Sequence, residues 1–234
     1  MKLLFISFLI ALAIRANAAV TMNETEVGIA VAKGNTRSET YNIKQLNNYQ
    51  FDENILRFSG RYLNAFAEDK ESARFLNLSL RYERELSKKL SAYASESLEK
   101  DRFAGYRSRL FSDVGGKYYV EEKKESITYL EAGYRYMTEK RFNNTQASFN
   151  YARAFMSFEK IPSESINLRW WLEYLPNLDA TKEYFINSEV SLSVLLSSAF
   201  SLKSGYLLRY NNNPLLGVQY KTDKLLTTAL VAKF

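Results

Sequence analysis

The chain has 234 residues, including 17 tyrosines, 15 phenylalanines and 2 tryptophans, no cysteine and no histidine, and a formal charge of +6. Lacking both of those residue types, it lacks the usual nucleophile, general base and transition-metal ligands of neutral-pH chemistry, and it forms no disulfide. Its one long apolar run is N-terminal, which excludes a helical membrane protein, and its charge excess is too small to point to nucleic acid.

Residues 1–18 read as a cleaved secretory signal. Met1-Lys2 gives a positive start, Leu3 to Ile14 an apolar run, and Ala16-Asn17-Ala18 a small-residue cleavage site. The run is short for a bilayer span. An exported chain without cysteine suits a bacterial envelope, where disulfides are optional.

From residue 19 onward the pattern is that of strands, whose side chains point alternately to opposite faces. Val27, Ile29 and Val31 alternate with Gly28, Ala30 and Ala32. Leu56, Phe58, Gly60 and Tyr62 alternate with Arg57, Ser59 and Arg61, and Leu76, Leu78, Leu80 and Tyr82 with Asn77, Ser79, Arg81 and Glu83. Leu130 to Tyr136, Leu168 to Tyr174, Ile186 to Leu196 and Leu202 to Tyr210 repeat the pattern. Segments 38–51, 90–99, 107–120 and 146–158 alternate less cleanly and are expected to be strands too. Short breaks are expected at Asp52 to Asn54, Ser87 to Lys89, Glu121 to Glu125, Glu159 to Ser163 and Ser197 to Ala199. Between them fall Gly34-Asn35-Thr36 and mostly longer breaks at Glu68 to Ser72, Glu99 to Tyr106, Glu139 to Thr145, Pro176 to Lys182 and Asn211 to Thr222. Eleven breaks predict twelve strands, an even number that leaves both chain ends on one side.

Alternation alone does not separate a soluble sandwich from a membrane barrel, whose polarity is inverted. Three features favour the barrel. The strands are longer than those of ordinary soluble sheets. Tyr62, Phe66, Tyr82, Tyr118, Tyr136, Tyr174 and Tyr210 fall near strand ends, where amphipathic rings form interfacial girdles. The last strand places Leu226, Thr228, Leu230, Ala232 and the terminal Phe234 on one face, and a terminal Phe resembles the signal read by the outer-membrane barrel-assembly machinery. Lipid leaves an open sheet edge unsatisfied, so the first strand must pair with the last. The predicted fold is an all-β, closed, antiparallel, up-and-down transmembrane β-barrel of twelve strands over residues 19–234. Its place is the bacterial outer membrane, reached through the periplasm, with outer-membrane lipid and the assembly machinery as partners. Arg84, Asn64 and Ser188 break the apolar face.

Gly34-Asn35-Thr36, Asp101 to Tyr106, and Lys221-Thr222-Asp223 before a strand ending in Phe234 form an ordered set. The set resembles the domain-of-unknown-function 481 family, often labelled salt-induced outer-membrane proteins. The likeness covers the chain after residue 18 and departs from the pattern at Lys224. It implies an outer-membrane barrel and no particular substrate, reaction or cofactor.

The lumen-facing register predicts a wall lined by Arg57, Arg61, Arg81, Glu83, Arg109, Asp113, Lys117, Glu131, Arg135, Arg153, Arg169, Glu173, Glu189, Lys203 and Arg209. Two readings follow. One is a narrow passive channel for small solutes, with the basic bias favouring anions. The alternative is a structural or stress-related envelope barrel whose ion pairs fill the lumen. Asp101, Arg102, Phe103 and Tyr106 are candidates for a folded-in constriction, against a loop merely pinned by its own contacts. Trp170 and Trp171 are expected on opposite faces. The interspersed lysines of Glu121 to Glu125 argue for a solvated turn rather than a cation site. No metal site is expected. Enzymatic activity is disfavoured because the commonest general base is missing.

Overall fold

A computed structural model describes residues 19–32, 38–180, 182–215, 218 and 220–233. The signal segment, Gly34-Asn35-Thr36 and Phe234 lie outside the described residues. The strands are β1 (Ala19–Ala32), β2 (Ser38–Phe51), β3 (Asn54–Ala67), β4 (Lys70–Ser87), β5 (Leu90–Asp101), β6 (Tyr106–Lys123), β7 (Ser126–Arg141), β8 (Gln146–Ser163), β9 (Ile166–Pro176), β10 (Tyr184–Leu195), β11 (Phe200–Asn211) and β12 (Thr222–Lys233). Each pairs antiparallel with its sequence neighbours. The ring closes where Glu24, Thr25, Glu26 and Val27 of β1 face Lys233, Ala232, Val231 and Leu230 of β12.

Polarity is inverted relative to a soluble sheet protein. Leu78, Val190 and Leu192 point outward and are 39–45% exposed, whereas Glu83 and Glu139 are 2% exposed. The twelve-stranded transmembrane barrel follows from this pattern, because a chain that buries carboxylates and presents leucines is matched to an apolar solvent. Outward Trp170 donates from Nε1 to Ser188 Oγ at 3.0 Å, and Ser188 donates in turn to the Trp171 carbonyl at 2.8 Å. That satisfies the serine on the apolar face. Asn64 is held by its amide on the Tyr62 hydroxyl at 3.1 Å. Arg84 is exposed on the outer face near the end of β4, where a long side chain reaches the interface.

Most breaks are shorter than the sequence reading; those at Glu99 to Tyr106 and Glu139 to Thr145 shrink to residues 102–105 and 142–145, and three others also change. Glu121 to Lys123 extend β6, and the turn is residues 124–125; Glu159 to Ser163 extend β8, and the turn is residues 164–165. Polar residues continue these strands because past the lipid boundary a paired strand needs no apolar face. The break at Glu68 to Ser72 shrinks to Glu68-Asp69. Both residues take positive φ, 49° and 60°, the geometry of the two-residue hairpin turn whose twist matches the strands. One end of the barrel therefore carries turns of two to four residues. The other carries the two-residue β3–β4 turn and longer loops, up to residues 212–221.

Candidate functional site

The lumen is the candidate site, and its inner face is built by the strand pleat. Arg81 and Glu83 face in from β4, Lys117 and Asp113 from β6, Glu131 and Arg135 from β7, Arg153 from β8 and Glu173 from β9. They join in one chain of ion pairs. Lys117 meets Glu83 at 2.9 Å, and Arg81 meets Glu83 at 3.0 Å and Glu131 at 2.7 Å. Arg153 meets Glu131 at 2.6 Å and Glu173 at 2.7 Å. Arg135 closes the chain on Asp113 at 2.7 Å and Glu173 at 3.2 Å. Four cations balance four carboxylates, and none of the eight side chains is more than 14% exposed. Buried charges are tolerable only when paired in this manner.

Tyr93 of β5, 4% exposed, is the centrepiece of this belt. Its ring lies against Gly115 and Gly133, where an added Cβ would come within 2.7 and 2.9 Å of the hydroxyl. The Arg81 guanidinium covers the ring at 3.8 Å from its centroid, and Arg153 Nη1 donates to the hydroxyl at 2.8 Å. Missing side chains on the wall thus make room for an aromatic ring that carries two arginines.

Towards the longer loops the lumen is bridged from wall to wall. Arg209 on β11 and Glu99 on β5 stand six strands apart in a ring of twelve, hence on opposite walls, and they meet at 2.9 Å. Glu99 also accepts from the hydroxyl of Tyr106, which is fully buried under the Arg109 guanidinium. Arg109 is itself bound to Glu139 at 2.8 Å. Beside this bridge an apolar cluster of Met137, Tyr151 and Leu175, with Phe111, Phe149 and Phe185, fills the β6–β10 wall. Towards the short turns, the rings of Tyr119, Tyr129, Phe155 and Trp171 follow one another at 5.7–5.9 Å between centroids.

The remaining residues singled out from sequence are placed as follows. Lys203 binds Glu26 at 2.9 Å and approaches Glu189 at 3.8 Å. Arg169 binds Glu159 at 2.9 Å. Arg57 and Arg61 donate from Nε to Asn48 and Asn42 at 2.9 and 3.1 Å. In the β5–β6 connection, the Asp101 carboxylate accepts from the backbone N–H groups of Phe103 and Ala104 at 3.0 and 3.1 Å. Arg102 reaches away to Glu71 at 3.1 Å, and Phe103 is exposed. Of that quartet only Tyr106 is wholly enclosed. The mouth is also covered by the β11–β12 loop, whose Leu215 and Val218 pack on Gly105 so closely that a Cβ there would sit 3.1 Å from Val218.

Glu26, Lys44, Tyr93, Glu99 and Glu139 were not among the residues the sequence singled out. Tyr93 and Glu99 lie on one of the strands whose alternation is blurred, and so does Lys44. The signal available in advance for the covering loop was its length.

An all-antiparallel barrel with an apolar exterior and a charged, ion-paired interior has the architecture of outer-membrane β-barrels. Solved structures that share the fold include three outer-membrane barrels. The NanC porin matches with a TM-score of 0.52 at 7% identity, over 92% of this chain and 98% of that one. The COG4313 outer membrane channel from Pseudomonas putida F1 matches with 0.55 at 13% identity, over 94% and 96%. The translocator domain of autotransporter NalP from Neisseria meningitidis matches with 0.50 at 10% identity, over 97% and 93%. Among curated proteins there is no match. The family model described as protein of unknown function, DUF481, matches residues 25–234, and the chain belongs to that family.

Proposed function

We propose that this protein is a porin-like barrel of the bacterial outer membrane, exported by a signal removed after Ala18, whose lumen is held closed by its own ion pairs. The observation that carries this reading is the Arg209–Glu99 contact between opposite walls, with the neutral eight-group belt below it. A pore that passes solutes leaves water along its axis, whereas these groups satisfy one another. The reading assigns no enzymatic activity, in keeping with a chain that has no histidine.

A second reading, a narrow channel for small anionic solutes, is favoured by the vestibule under the longer loops. This cavity of about 360 Å³ is lined by more basic than acidic residues, Lys44, Arg61 and Lys221 among them. Planar-bilayer recording of the refolded protein separates the two. Under the first reading the wild type stays near the bare-bilayer baseline, and a barrel carrying Arg81→Ala and Arg209→Ala conducts. A wild type with steady anion-selective conductance would favour the channel and remove the plug.

A further inference from the structure

One inward-facing row of the sheet runs Glu26 (β1), Lys44 (β2), Arg61 (β3), Asn77 (β4), Glu99 (β5), Arg109 (β6), each residue directly opposite the next across a strand pair. Charges along it are complementary or separated by a neutral group at every step except one. Lys44 and Arg61 stand directly opposite each other, and like charges so placed repel. Elsewhere such a conflict is relieved within the protein. Arg57 stands opposite Arg81, but Arg81 is taken up by Glu83 and Glu131. At Lys44 the relief is partial: Glu26 and Glu189 attract both cations, but neither carboxylate comes within salt-bridge distance of them. Glu26, its neighbour on the other side, is engaged by Lys203 at 2.9 Å. Among the described residues the Lys44 ammonium has no hydrogen bond and no carboxylate within salt-bridge distance, and the Arg61 guanidinium donates to the Asn42 amide oxygen, lies 6.0 Å from the Phe75 ring and has no carboxylate within salt-bridge distance.

A second observation lies beside the pair. Asn42 is 2% exposed, its oxygen accepts from Arg61, and its amide nitrogen is buried without a partner. An unmade hydrogen bond of this kind is rare in folded proteins. Three donor groups with spare capacity thus sit together on the β2–β3 wall. Lys44 and Arg61 both border the 360 Å³ vestibule, with Ser59, Asn77 and Trp171 among its other walls.

We infer that Lys44 and Arg61 form a binding subsite for a small carboxylate- or phosphate-bearing solute, seated in the vestibule between the two cations. An anion there turns the one repulsive step of the row into a bridged one, through charge-assisted hydrogen bonds. Arg61 supplies a fork suited to two oxygens and Lys44 a point charge. The site deepens the anionic-solute reading but does not require an open pore, because an anion need reach the vestibule only from the end that carries the longer loops.

The test is calorimetric titration of the full detergent-solubilised barrel at low ionic strength with sodium glucuronate, inorganic phosphate and, as the neutral control, glucose. Saturable binding of at least one anion and none of glucose is expected, with affinity about tenfold weaker in Lys44→Met and in Arg61→Met. Preference between glucuronate and phosphate assigns the solute's acidic group. Absence of saturable binding of either anion, equal binding of glucose, or unchanged affinity in both variants overturns the site. Should a variant lose heat-modifiable gel migration, the wild type decides: at constant ionic strength the bound anion must raise its unfolding temperature over chloride. Conductance plays no part in this measurement, so an open pore and an empty site are separate outcomes.

Discussion

Glu96 sits midway along β5 on the outer face, opposite Leu80 and Ser112, with no ion pair or hydrogen bond among the described residues. A lipid-facing carboxylate costs stability in a depth-dependent way. Glu96→Leu should therefore raise the unfolding free energy by about 1 kcal/mol or more in urea titrations in phospholipid vesicles. A loss of stability instead would mean that this carboxylate has a partner in the membrane. On the inner face the decisive residue is one without a side chain. Gly115→Ala drives a methyl to 2.7 Å from the Tyr93 hydroxyl and 2.5 Å from the Ala132 carbonyl oxygen. Neither the β-ladder nor the twice-held ring yields easily, so a loss of about 1–3 kcal/mol is expected by the same titration. Tyr93→Phe keeps the ring and forfeits one charged hydrogen bond, and should cost less than Gly115→Ala.

At the scale of strands, burial decides what an ion pair is worth. Arg153 on β8 serves Glu131 on β7 and Glu173 on β9, all at most 11% exposed. Arg153→Met leaves both carboxylates short of a partner and should cost about 3–5 kcal/mol. Arg169 of β9 pairs with Glu159 of β8 at similar length but is 39% exposed, so Arg169→Met should cost about 1 kcal/mol or less. Equal losses in chemical denaturation would mean that water reaches the belt. The strands also explain what was legible in advance. β3, β4, β7 and β9 alternate plainly because their outer faces are mostly apolar and their inner faces largely polar. β2, β5, β6 and β8 blur because the rule is broken on both sides. β2 turns Gln45 and Asn47 outward, satisfied by Thr25 and Asn23 of β1. β5 and β6 turn out Glu96 and Ser112, and β5, β6 and β8 turn Tyr93, Phe111, Phe149, Tyr151 and Phe155 inward. Aromatic rings facing a lumen are invisible to a polarity pattern, because the pattern records faces and not what packs across them.

For the molecule as a whole, closure is the condition of stability in lipid, and it rests on the β1–β12 seam. Val231 lies there, 1% exposed, opposite both Glu26 and Ser201. Val231→Pro removes its N–H from the ladder between two strands, where proline is not accommodated. It should abolish heat-modifiable migration of the refolded barrel, while Val231→Ala retains it. If the proline variant folds, the seam is not what closes the ring. The amino-acid sequence by itself determined the strand count, the direction of the greasy face and the family, because period-two polarity and turn spacing are local properties. It did not determine that Arg209 would meet Glu99, that Tyr93 would carry two arginines on two glycines, or that Lys44 and Arg61 would be left facing each other. Those contacts join strands up to half a circumference apart, and their partners depend on the stagger of the closed sheet, which sets what lies opposite what across the bore.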